Sequence, residues 1–329
     1  MTRFRSARLL FTMSLLALAG CAPLQVRFGS RVHLAKLPLT SMQAGTPKGP
    51  GIAPGEKSPL VATITKPDGT ALTTEGAGKG KVLWSDLEVI TTVATVNNKG
   101  VVSLPSDPRL SDGKVPHVII TVPSHPDLRA ELDIPVRYDR NFTAAFQGSR
   151  GSNGLDGSSG TDGSSGIPGS SDPDHPSAGG DGSDGSDGRD GENGGSGHNG
   201  PPVRVRIALR SGSHPLLQVV VSAERHDHFY LVDPQGGSLT ITSEGGSGGS
   251  GGKGGRGGRG GSGGIGSPDG HSGRDGMSGH DGMSGSSGSG GPITVTYDPQ
   301  AKPFLNTIHL VNSGGPKPIM NEEPVPPLW

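Results

Sequence analysis

Glycine recurs at every third position in four separate runs, and each run holds eight such glycines. Block one spans 148–169, block two 179–200, block three 245–266 and block four 270–291. The frame breaks over 172–178 and slips by a single residue, Asp269, between blocks three and four. A disordered linker carries no constraint on length, whereas four blocks of one length suggest four rods of one height packed side by side.

The remaining composition places the core elsewhere. Apolar residues make up 30% of the 329 and glycine accounts for 59, so buried apolar surface has to come from outside the blocks. A net charge of −1 gives no reason to expect a nucleic-acid partner or a strongly cationic one.

At the N-terminus, Arg3, Arg5 and Arg8 precede an apolar stretch over 9–19 that is too short to span a membrane as a mature helix. It ends in Leu18-Ala19-Gly20-Cys21, and Cys21 is the single cysteine. The segment resembles the lipobox of bacterial lipoproteins, in which cleavage before the cysteine leaves that residue carrying lipid. Ala22 follows where an aspartate would suggest inner-membrane retention, so the resemblance implies a lipid anchor in an outer membrane, with the membrane itself as partner. The alternative is an ordinary signal peptide with a chance cysteine. With the thiol lipidated, disulfides, a cysteine nucleophile and thiolate metal sites are all unexpected.

Residues 60–65, 81–84, 89–96, 101–104, 115–122 and 132–138 are rich in β-branched side chains. Pro67-Asp68-Gly69, Asn97-Asn98-Lys99-Gly100 and Ser111-Asp112-Gly113 separate them as turn signals. Short strands at this spacing predict a sandwich. The stretch TVATVNNKGVVSLP followed by VPHVIITV resembles bacterial immunoglobulin-like modules of surface proteins; the likeness covers some 80 residues and carries no catalytic motif. Further strands are expected over 203–209, 216–223, 228–232, 238–242, 293–297 and 305–311, too few for two separate cores. The predicted fold is therefore mainly β with no substantial α-helix in the mature chain. Its segments are a signal peptide (1–20), an Ig-like sandwich (21–145), a glycine hairpin (148–202), a β module (203–244 with 293–311), a second glycine hairpin (245–292) and an irregular tail (312–329) that Trp329 is placed to dock onto a β face.

Two ordered structures use glycine at every third residue. Collagen winds three chains around a crowded axis, which would make the protein a trimeric stalk. Polyglycine-II bundles pack separate threefold helices side by side within one chain, as in glycine-rich springtail antifreeze proteins. Disorder is the third possibility, since Gly/Ser tracts serve as flexible linkers. Three features favour the bundle and a monomer. Proline is sparse, where collagen-like composition wants roughly 15–20% or more. The five prolines within the glycine triplets (Pro168, Pro201, Pro202, Pro268 and Pro292) fall only at block ends, as expected if interior N–H groups, which proline lacks, are used laterally. Block three also doubles its glycines at Gly246, Gly249, Gly252, Gly255, Gly258, Gly261 and Gly264, a second bare ridge suited to rod packing. At ~3.1 Å per residue, eight triplets extend about 75 Å.

Asp181, Asp184, Asp187 and Asp190 occupy third positions in block two, and Lys253, Arg256 and Arg259 do so in block three. Two readings stand: an inter-rod charge ladder, or two solvated faces of opposite sign that contribute little. Other motifs lead away from chemistry. The run from Gly179 to Asp184 matches the start of a calcium-binding nonapeptide, but the period here is three and Ser186 fills the apolar slot. GGKGGRGGRGG resembles an RNA-binding tract without its aromatic stacking partners. His226-Asp227-His228 lacks a third ligand nearby and reads as exposed turn residues; His271 and His280 lie three turns apart on one ridge. No nucleophile–base–acid pattern is recognisable, so no catalytic residue, cofactor or metal is expected. The reading is a non-catalytic, lipid-anchored envelope protein with a rigid glycine-rich arm in a structural or adhesive role. A ligand- or glycan-binding module acting through the β base or the arm tip (172–178) is the alternative.

Overall fold

The computed structural model describes residues 31–170, 172–212 and 214–329. The chain is mainly β and divides into two compact units. The regular helical elements among the described residues are short 3₁₀ turns, the longest at Pro299–Thr307.

The first unit comprises the described residues up to Arg140, together with Phe229–Gly237 and Trp329. Its strands are β1 (Ser41–Gly45), β2 (Lys57–Pro59), β3 (Val61–Thr65), β4 (Ala71–Thr73), β5 (Glu88–Thr91), β6 (Thr95–Val96), β7 (Val101–Ser103), β8 (His117–Val122) and β9 (His125–Asp133). They form three small sheets of order β1-β3-β4, β2-β7-β6 and β5-β8-β9. In β3 and β8 alternate residues are buried, the period-two pattern of a strand with one face on a core. Ala62, Ile64, Val118, Ile120 and Val122 join Leu34, Ile52, Leu60, Trp84 and Val102 in that core. The expected strand at 81–84 is instead a pair of isolated bridges at Val82, to Val32 and to Thr74, followed by the 3₁₀ turn Trp84–Asp86. Trp84 packs against Gly100, where any Cβ would collide with the indole. Trp329 stands edge-on to Phe229 at 5.9 Å and donates its Nε1 to Asp112 at 3.3 Å, while the Arg109 guanidinium lies 3.4 Å above the Phe229 ring.

The second unit contains the remaining residues. Its strands are β10 (Asn141–Gln147), β11 (Val203–Arg210), β12 (Leu216–Ala223), the first three residues of β13 (His226–Val232), β14 (Ser238–Glu244), β15 (Ile293–Tyr297), β16 (Ile308–Val311) and β17 (Ile319–Glu322). One sheet has order β10-β14-β16 with parallel neighbours throughout. The other has order β13-β12-β11-β15-β17, in which β11 runs parallel to β15 and β15 to β17. Two boundaries differ from expectation. The Ig-like segment is expected to end at 145, yet that boundary falls within β10, which pairs along its length with β14. The tail, expected to be irregular, supplies edge strand β17 and buries Val325.

The glycine blocks continue these strands. β10 runs directly into block one and β14 into block three, while blocks two and four feed β11 and β15. Each block is extended and bonded sideways to other blocks by main-chain N–H···O=C bonds. Seven such bonds join each of five pairs: one with three, two with one, two with four, three with two, and four with three. Pairs one/three and two/four are parallel; the other three are antiparallel. Among the described residues no bond joins blocks one and four, so blocks two and three form the shared centre and each touches all three others. Leu155, Ile167, Ile265, Met277 and Met283 are all exposed. Backbone hydrogen bonding, not apolar burial, holds the blocks together.

Candidate functional site

The blocks are positioned by the register of the sheets beneath them. β10 pairs Asn141 with Ser238 and Gln147 with Glu244. The same separation of 97 residues recurs far out in the blocks, where Asp162 meets Arg259. β11 pairs Val203 with Ile293, and that separation of 90 residues recurs from Asn199–Ser289 to Asp181–His271. Equal block length is what permits this, since one extra residue in one block would shift every pair beyond it.

Main-chain lateral bonds leave some N–H groups over, and third-position side chains accept them. Asn153 Oδ1 accepts from Ser250 N at 3.1 Å, and the following Gly154 N donates to Ser250 O at 2.8 Å. One residue of block three is thus held at both its N–H and its C=O by an Asx–Gly pair of block one. Asp156–Gly157 holds Lys253 and Asp162–Gly163 holds Arg259 in the same way. In block two, Asp181, Asp184, Asp187, Asp190, Asn193 and Asn199, each with its following glycine, hold His271, Arg274, Met277, His280, Met283 and Ser289 of block four. These nine clamps explain why short carboxamide and carboxylate side chains occupy those slots: their oxygen stands in for a peptide carbonyl. On block four, Asp275 and Asp281 accept from Gly260 N and Gly254 N, each at 2.8 Å.

The aspartate row therefore does not pair with the basic row. Among the described residues no ion pair joins Asp181, Asp184, Asp187 or Asp190 to Lys253, Arg256 or Arg259. The aspartates belong to the face that block two turns to block four, whereas the basic residues bond through their backbones to block one. Backbone donation from His271 and His280, aided by their rings, holds the Asp181 and Asp190 carboxyls below the usual carboxylate range.

The doubled glycines of block three have a definite location. At Gly246, Gly249, Gly252, Gly255, Gly258, Gly261 and Gly264 an added Cβ would collide with backbone atoms of block one. The triplet glycines on the opposite ridge, such as Gly254 and Gly257, would collide with block four. Block three is closed on both ridges. Block two is not: of its two extra glycines, a Cβ at Gly180 would meet nothing nearer than Ile167 N at 3.1 Å, and one at Gly195 would meet first the Ser152 hydroxyl at 2.8 Å.

The remaining sequence motifs lie apart from one another. His226, Asp227 and His228 are exposed at the start of β13, with Asp227 accepting from Ser222 Oγ. His271 and His280 each approach one aspartate, at 3.3 and 3.4 Å. Among the described residues no group of three or more His, Cys, Asp or Glu could hold a metal ion, and no helix is long and apolar enough to cross a membrane. Leu18, Ala19, Gly20 and Cys21 lie outside the described residues. The first unit carries an open cavity of about 610 Å³ lined by Arg31, Glu75, Trp84, Ser85, Asn97 and Asn98. Arg31 and Glu75 pair there at 3.1 Å, and the buried Trp84 Nε1 has no hydrogen-bond partner. No protein-family profile matches the chain, and no curated protein is significantly similar to it.

Proposed function

We propose that this is a non-catalytic lipoprotein of the bacterial outer membrane, anchored through Cys21, in which a polyglycine-II bundle of four rods serves as a rigid arm about 75 Å long. The first unit is read as an Ig-like module and the second as the base from which the rods project. The role is structural or adhesive: the arm sets a distance. One observation carries the reading. Lateral hydrogen bonds in five block pairs keep the register of the base sheets out to the far end, which a flexible tether would not need.

The competing reading, a ligand- or glycan-binding module, is favoured by the cavity beside Trp84. Length separates the two. Removing two triplets from every block keeps the register and shortens the arm. Replacing the exposed Leu155, Met277 and Met283 by serine keeps the length and changes the surface. Attachment or envelope integrity of cells carrying each variant should follow arm length and ignore the surface changes. Dependence on the surface or the cavity, with no dependence on length, would replace the arm reading by the binding one.

A further inference from the structure

Each clamp engages the two groups that would otherwise react with one another. In an Asn–Gly pair the glycine nitrogen, once deprotonated, attacks the side-chain Cγ. The new C–N bond closes a five-membered succinimide as the Cγ–Nδ2 bond breaks and ammonia leaves. Water then opens either ring carbonyl, giving aspartate or isoaspartate; Asp–Gly follows the same course with loss of water. Glycine is the most permissive partner because it has no Cβ to obstruct closure.

A Gly-X-Y frame puts every third-position residue directly before a glycine. A fold that selects Asx at that position thus loads itself with the most labile dipeptides. Isoaspartate would lengthen the main chain by one methylene, and everything beyond it would leave register. The structure holds both reactants. Gly154 N is bonded to Ser250 O at 2.8 Å, Gly194 N to Met283 O at 2.9 Å and Gly200 N to Ser289 O at 2.9 Å. The oxygens of Asn153, Asn193 and Asn199 are fixed by N–H groups of those same three residues, at 3.1, 2.8 and 2.9 Å. Cyclisation must break both bonds and turn the nitrogen away from a neighbouring block.

We propose that the clamps are also chemical protection: they suppress succinimide formation at Asn153, Asn193 and Asn199, so that the arrangement preserves the sequence it depends on. The inference rests on the hydrogen bonds and is independent of the role assigned to the arm. The test incubates the full chain in mildly alkaline buffer, folded in detergent or denatured in urea, and measures deamidated and isoaspartyl peptides by mass spectrometry. Two bonds to break predict deamidation slower by about tenfold or more in the folded chain at all three sites. Equal rates in the two states would overturn the proposal. A chain lacking one triplet of block four alone is the second arm, with hydrogen exchange showing whether its blocks have opened. Deamidation at Asn193 and Asn199 should then approach the denatured rate. A rate that stays slow while the block amides exchange freely would show that the clamps are not the cause.

Discussion

A single methyl group distinguishes a packed block from an open one. In Gly255→Ala the new Cβ would overlap the Ser158 carbonyl oxygen and lie 2.5 Å from its carbon, with Gly157 O at 2.9 Å. Carbon–carbon contact is comfortable at ~3.5–4.0 Å, so blocks one and three must part by about 1 Å. The affected bonds are Gly157 N to Lys253 O at 2.7 Å, Gly160 N to Arg256 O at 2.7 Å and Arg189 N to Ser158 O at 2.9 Å. Stretched by that amount they cease to be hydrogen bonds. At ~0.5–1.5 kcal/mol net for each, the local loss is about 1.5–4.5 kcal/mol. Gly180→Ala is the matched control, because its Cβ requires Ile167 N to yield only a few tenths of an ångström, and the stiffer unfolded chain returns ~0.4–1 kcal/mol. Amide exchange by mass spectrometry should therefore show protection near Gly157 and Gly160 falling by roughly ten- to a thousandfold in Gly255→Ala and hardly changing in Gly180→Ala. Equal protection in both variants and the parent would refute the packing argument.

Other outcomes follow from the same geometry. Asp184→Asn should keep the Arg274 amide protected and Asp184→Ala should expose it, since the contact needs only an acceptor oxygen. Because the folded pKa values of Asp181 and Asp190 are depressed, their stabilising effect is complete above the unfolded carboxylate pKa and is lost as pH falls through the folded values. Exchange protection in block four should then be flat near neutrality and decline only on the acid side of the ordinary carboxylate range. Deleting one triplet from block one alone should lower protection at the bonds block one makes with blocks two and three beyond the deletion, whereas deleting the facing triplet from every block should preserve it. Cys21→Ala should move the protein from the membrane to the soluble fraction; unchanged fractionation and lipid labelling would remove the anchor.

What could be read from the sequence depended on whether the signal was local. The alternation in Val61–Thr65 and His117–Val122 marks strands because each residue faces a core or solvent in turn. The doubled glycines of block three are legible because a missing Cβ matters only where another backbone comes close. An Ig-like segment ending at 145 cuts through β10 because its partner β14 lies 97 residues away, and parallel pairing leaves no nearby turn to announce it. β17 was missed for the same reason: a short strand in a proline-rich tail is fixed only by β15. The aspartate row was noticed for its charge, but its work is to accept from peptide N–H groups. Every residue carries that donor, so the sequence shows no complementary row, and the basic residues of block three offered a false one.

The four blocks bond to one another within one chain. Scalar couplings transmitted through hydrogen bonds, measured by NMR on an isotope-labelled chain that light scattering shows to be monomeric, test it most directly. Couplings are expected from Gly157 N to the Lys253 carbonyl, from Gly188 N to the Met277 carbonyl and from Gly255 N to the Arg189 carbonyl. Absence of these couplings with random-coil glycine shifts, or their appearance only in a trimer, would contradict it.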